Sequence, residues 1–190
     1  MNKKKRIIVG ITGATGVVYG IRLLEALRDR GAEIHLILSG QAKKIIPLET
    51  GFAAADIEAL AHRAYAADDL AAPFSSGSFN TDGMAIAPCT IKTLSAIASC
   101  YNDNLIVRAA DVCLKERRKL ILMVRETPLH AGHLKLMATA TESGAIIMPP
   151  TPTFYHYTKT VQDIVDQSVG KILDLFDIEH DLYQRWEGIG

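Results

Sequence analysis

The sequence predicts a three-layer α/β fold, a doubly wound parallel sheet with helices on both faces. Three observations predict it. A β-α-β unit fills the first forty residues, short apolar runs alternate with amphipathic stretches to the end, and a glycine-rich turn joins the first strand to the first helix.

Arg6–Thr12 is a continuous apolar run of the kind found in strands buried on both faces. The turn Gly13-Ala-Thr-Gly16 follows, and Val17, Ile21, Leu24 and Leu27 then recur at helical spacing with Arg22, Glu25, Arg28 and Asp29 between them. Gly31 stops that helix, and Glu33–Leu38 is the second strand. Helices are expected at Gln41–Leu48 and Asp56–Ala66, with a Ser-, Gly- and Asn-rich loop at Pro73–Gly83. Met84–Ala87 is a short strand ended by Pro88, and helices follow at Ile91–Ser99 and Leu105–Arg117. Lys119–Val124 is a strand, His130–Glu142 a helix and Ala145–Met148 the last strand. Pro149–Thr160 holds three prolines and three aromatics and reads as a stiff loop, and Val161–Phe176 and Glu179–Trp186 read as closing helices. No repeat, low-complexity segment or linker divides the chain, so residues 1–190 are expected to form one domain.

Composition narrows the function classes. Twenty-one basic and 21 acidic residues cancel, so no general field draws the chain to nucleic acid or an anionic membrane. No stretch approaches the roughly 20 apolar residues of a membrane span, and the Ile7–Thr12 run lacks the longer apolar core of a secretory signal. Three cysteines without CxxC spacing suggest neither a disulfide framework nor a cysteine zinc site, and a cytoplasmic protein with reduced thiols is expected. Neutrality and 48 % hydrophobic residues favour self-association.

In a doubly wound sheet ligands bind beyond the carboxyl ends of the strands, which singles out the turns that follow them. Gly10-Ile-Thr-Gly-Ala-Thr-Gly16 is spaced GxxGxxG; such a turn brings backbone N–H groups to a phosphate, or needs glycine for packing alone. The second strand ends in Ser39, where an NAD-binding fold places an acid, so a flavin or mononucleotide is favoured over NAD. Pro88-Cys-Thr-Ile-Lys-Thr93 opens a helix with two threonines, able to cap it or to help hold a ring or phosphate. Arg108 and Lys115 share a helix face, suited to a phosphate dianion or to plain solvation. Arg125-Glu126 ends a buried strand, where a carboxylate beside an arginine can move a proton. Glu49, at a helix end, reads by position as a surface acid. His130 and His133 offer two metal ligands without a third, and Asp68-Asp69 is the one acidic pair before the loop, so no DDxxD magnesium–diphosphate site is expected.

These motifs, with Ser39-Gly-Gln-Ala, Leu48-Glu-Thr50, Ser75-Ser-Gly-Ser78, Arg108 to Arg118, Val124 to His130, Met148-Pro-Pro150 and Phe154-Tyr-His156, occur in the order seen in UbiX flavin prenyltransferases. The chain resembles that family from about Ile7 to Trp186, including its members from phenolic-acid decarboxylase operons. The resemblance implies a flavodoxin-like or Rossmann-like flavoprotein fold and a large homo-oligomer, commonly a dodecamer built of trimers. It implies a metal-independent reaction joining dimethylallyl phosphate to reduced FMN at N5 and C6. The prenylated FMN would pass to a UbiD-type decarboxylase.

By the same resemblance Gly13, Ala14, Thr15, Ser39, Thr90, Ile91, Lys92, Thr93 and Arg125 would hold the flavin. Arg108, Lys115, Tyr155 and Lys171 would hold the prenyl phosphate, from more than one subunit, and Thr15, Glu49 and Glu126 would manage protons. Thr15 stands where many members have serine, and Lys171 where others have arginine, a point charge in place of a fork. Three other functions stay open on sequence: an FMN-binding accessory subunit of a phenolic-acid decarboxylase, such a decarboxylase itself, and a flavin-dependent cysteine decarboxylase of the same fold. Against the last, Gly40–Thr50 holds no histidine where those enzymes carry one.

Overall fold

A computed structural model describes residues 4–154 and 158–188. Strand β1 (Arg6–Ile11) feeds helix α1 (Val17–Asp29), β2 (Glu33–Leu38) and α2 (Gly40–Thr50). A short α3 (Ala54–Glu58) and β3 (Arg63–Tyr65) precede a 3-10 turn at Pro73–Ser75 and β4 (Gly83–Cys89). Then come α4 (Ile91–Ala98), α5 (Leu105–Lys115), β5 (Lys119–Val124), α6 (Ala131–Glu142), β6 (Ile146–Ile147) and α7 (Val161–Leu175).

All six strands run parallel in the order β3-β2-β1-β4-β5-β6. Alternation along the strands sorts their side chains into two cores. Ile7, Val9, Ile11, Ile34, Leu36, Ile121 and Met123 pack against α1, α2 and α7. Ile8, Ile37, Met84, Ile86, Leu120, Leu122 and Val124 pack against α4 and α5 on the opposite face. Burial on both faces is why β1 and β5 read as apolar runs after their first residue, and why β2 does so but for His35. One polar side chain inside, His35 on β2, bonds Glu33 Oε1 at 3.0 Å and the Tyr65 hydroxyl at 2.9 Å. Burial lowers its pKa, opposed by the Glu33 carboxylate.

Two elements depart from the sequence expectation. The stretch expected as a helix over Asp56–Ala66 is instead α3 followed by β3. Arg63, Ala64 and Tyr65 pair with His35, Leu36 and Ile37, so the open edge of β2 decides their conformation over an alanine-rich local preference. Without β3 the order would be that of a five-stranded flavodoxin-like sheet; the added edge strand gives the Rossmann order.

The segment Glu179–Trp186, expected as a helix, is neither helix nor strand. It runs as an extended strap over α7, tied down by Asp174. That carboxylate accepts from Tyr183 Oη at 2.6 Å and Arg185 Nη2 at 2.7 Å, and meets His180 Nε2 at 3.1 Å. Side-chain bonds to a neighbouring element outweigh the local helical pattern there.

Candidate flavin site

Three turns at the carboxyl edge converge beside β1. Thr12, 2 % exposed, donates its hydroxyl to Pro88 O at 2.8 Å and accepts from Thr90 N at 2.9 Å. This buttons the end of β1 to the start of α4. Ser39 caps α2, its Oγ accepting from Ala42 N at 3.1 Å, and Thr90 caps α4, its Oγ1 accepting from Thr93 N at 3.2 Å. The first N–H groups of each helix, those of Gly40, Gln41, Ile91 and Lys92, precede the first intrahelical bonds made by Lys43 and Leu94.

Between these turns lies a cleft of about 570 Å³, lined by Thr12, Gly13, Ser39, Gly40, Gln41, Lys44, Ala67, Thr90, Lys92, Thr93, Asp103, Asn104 and Ile106. Two helix N-termini with hydroxyl caps at one hollow form a place for an anion. Gly13 is needed for close approach: a Cβ there would stand 2.4 Å from Gln41 Cβ. The cleft also has an apolar wall at Ala67 and Ile106, which suits an aromatic ring carrying a phosphate.

The N-terminus of α1, which the glycine turn offered as a phosphate site, is filled from within the chain. Glu49 Oε2 accepts from Gly16 N at 2.8 Å and Val17 N at 3.1 Å. A carboxylate there satisfies the same orphan donors and the same dipole that a phosphate would. Gly16, at φ +94°, makes the left-handed bend that aims those groups at Glu49. Glu49 is therefore more than a surface acid: it ties the end of α2 to the glycine turn.

The sequence-predicted residues divide into groups. Gly13, Ser39, Thr90, Lys92 and Thr93 line the cleft together. Ala14 and Thr15 lie on the adjoining turn, Thr15 exposed, and Ile91 faces a neighbouring hollow along with Lys92, His130 and His133. Arg125 stands partly buried at the end of β5, its N–H donating to Cys89 O at 3.0 Å. Burial raises the pKa of Tyr19, and the charge of Arg125 opposes it. Glu126 is exposed and accepts from Thr127 N at 3.0 Å.

The other cations face away from the cleft. Arg108 donates to Ser75 O at 3.1 Å and pairs with Asp111 at 3.0 Å. Lys115 is about 10 Å farther along α5 by helical rise, at the opposite edge of the sheet, paired with Glu116. Lys171 lines a separate cavity of about 590 Å³ with Met148, Pro149, Gln167, Asp174, Arg185 and Trp186. The proline-rich loop contributes Pro149, Thr151 and Thr153 to that second cavity, not to the cleft. Tyr155 lies outside the described residues.

Cys89, at a helix start where a lowered pKa is expected, is fully buried and its thiol is pushed up to about 12, so it stays protonated. His130 spends Nδ1 accepting from Gly132 N at 3.0 Å, as the cap of α6. Sequence reasoning missed Lys44, Gln41, Asp103 and Asn104 in the cleft. Asn104 alone left a readable signal, an asparagine just before an apolar periodic run, and it caps α5 through Ile106 N and Val107 N.

The chain matches the Flavoprotein family model over residues 1–173. It is 56 % identical over 183 residues to a flavin prenyltransferase UbiX of Thauera aromatica, covering 96 % of this chain and 94 % of that protein. A crystal structure of AnUbiX (PadA1) in complex with FMN and dimethylallyl pyrophosphate superposes with a TM-score of 0.97 at 48 % identity, over 99 % of this chain and 100 % of that one. A dodecameric FMN-dependent Ubix-like decarboxylase from Escherichia coli O157:H7 gives 0.94 at 48 % identity, over 96 % and 100 % of the two chains. With a family model over most of its residues and relatives of this identity and coverage, the chain belongs to the flavoprotein family and, within it, to the UbiX-type flavin prenyltransferases.

Proposed function

We propose that this chain joins a dimethylallyl group from dimethylallyl phosphate to N5 and C6 of reduced FMN, in a homo-oligomer, and delivers prenylated FMN to a UbiD-type decarboxylase. The observation that carries the reading is the cleft itself: two capped helix N-termini and the Gly13 approach, in a fold matching an FMN and dimethylallyl pyrophosphate complex. Reduced FMN supplies the nucleophile; the residues supply position and charge. Ser39, Thr90 and Thr93 with the α2 and α4 N–H groups hold the flavin phosphate.

Breaking an allylic C–O bond releases a phosphate beside a developing cation, and fixed positive side chains lower that barrier. Arg108, Lys115 and Lys171 do not reach one cavity within a single chain, which supports a site completed by neighbouring subunits. The exposed apolar side chains Leu48 and Phe52 around the end of α2, and Leu129 and Leu134 at α6, support such neighbours. Arg125 steadies the ring, Glu126 moves protons between ring and phosphate, and Thr15 and Glu49 act at the glycine turn. The described residues include no helix long and apolar enough to cross a membrane, and the free cysteines, one of them exposed, suit a reducing cytoplasm.

Incubation with reduced FMN and dimethylallyl phosphate should yield the prenylated flavin by mass spectrometry. Protein that binds FMN and returns it unaltered would instead be an accessory subunit. Glu126→Gln and Lys115→Ala should each lower turnover by roughly a hundredfold or more while the circular dichroism spectrum is kept.

A further inference from the structure

We infer that Lys44 is the charge that reads the flavin phosphate, and that it sets the preference for FMN over uncharged riboflavin. This rests on the flavin-binding reading of the cleft.

Three lysines lie near the hollow, and two are already committed. Lys43 turns from it to Glu58, 2.8 Å away. Lys92 lines the cleft but is held by Asp103 at 3.4 Å, and that carboxylate lines the cleft as well, so the pair contributes almost no net charge. Lys44 lines the same cleft, and among the described residues its ammonium has no ion-pair or hydrogen-bond partner. It sits four residues after Gly40 and three after Gln41, so all three share one face of α2, and all three line the cleft. The side chain therefore rises from the same helix whose first N–H groups open onto the hollow.

A phosphate monoester carries a charge of about −1.5 to −2 at pH 7. The hydroxyls of Ser39, Thr90 and Thr93 are neutral, so what meets that charge is the pair of helix N-termini together with Lys44. The ring and ribityl chain are common to FMN and riboflavin. A group that acts on the phosphate alone must separate the two ligands; a group that merely shapes the cleft must affect both.

The test is titration of FMN and of riboflavin into the full-length wild type, Lys44→Gln and, as a neighbouring-charge control, Lys43→Gln. Lys44→Gln should weaken FMN binding by about five- to tenfold and leave riboflavin binding as in the wild type. The salt dependence of FMN binding should flatten in that variant. Lys43→Gln should alter the binding of neither ligand. An unchanged FMN affinity in Lys44→Gln, or equal losses for both flavins, would overturn the assignment while leaving the flavin reading intact. A wild type that binds neither flavin would overturn both.

Discussion

Two of the hollows in this chain, of about 570 and 590 Å³, differ in how their polar groups are partnered. In the second cavity most charges answer one another, Lys171 being the exception among the described residues. Asp174 holds Arg185, Tyr183 and His180 at once. Burial alone would raise its carboxyl, but the hydrogen bonds from Arg185 and Tyr183 and the charge of His180 outweigh it and hold the group at about 2. Burial and that same Asp174 bond push the Tyr183 phenol up to about 12. In the cleft Ser39 and Thr90 accept from the helix starts they cap and Thr90 donates to Thr93 Oγ1, while the first helix N–H groups and the Lys44 ammonium have no partner among the described residues. Volume does not distinguish the two; what differs is that the cleft opens onto two helix N-termini.

The contrast breaks most sharply at Gly13. Gly13→Ala puts a methyl group where only 2.4 Å separates it from Gln41 Cβ, so the start of α2 must move. Overpacking of this kind costs about 1–3 kcal/mol, which predicts a loss of FMN affinity of roughly ten- to a hundredfold, read by flavin titration. Such a loss should not be matched by a comparable change in the strap.

Asp174→Asn should do the reverse. Removing the shared carboxylate costs about 2 kcal/mol, or a fall of roughly 5 °C in melting temperature, with FMN affinity unchanged. The pH dependence follows from the sign of the shift. Asp174 is held below its unfolded value, so its contribution is complete above about pH 4 and is lost as pH falls through about 2. The gap in melting temperature between wild type and Asp174→Asn should therefore close across that acid window.

Ser39→Ala gives the smallest effect and touches both properties. Loss of the α2 cap costs about 1 kcal/mol of stability, and FMN binding should weaken about fivefold because the same helix start faces the cleft. Equal FMN affinity in Ser39→Ala and wild type would separate the cap from the site.

The strands β1 and β5 were legible because burial on both faces leaves a short apolar run bounded by turn residues. The cap of α4 was legible because Thr90 stands just before the helical periodicity begins. β3 was not, since Arg63-Ala-Tyr65 carries no alternation to read and is a strand only because β2 offers it an edge. Nor was the strap, whose Tyr183 and Arg185 look helical until Asp174 stands beneath them.

The sequence by itself determined the doubly wound class, the order of most elements and the position of the turns at the carboxyl edge, because those features rest on neighbours within a few residues. The tertiary structure decided that Glu49, 33 residues from Gly16, would occupy the N-terminus of α1, while the N-termini of α2 and α4 open onto the cleft. It also decided that Lys44 would be left without a partner among the described residues while Lys43 and Lys92 were not. Pairings of that kind depend on which distant groups the folded sheet brings within about 3 Å, and spacing along the chain carries no record of them.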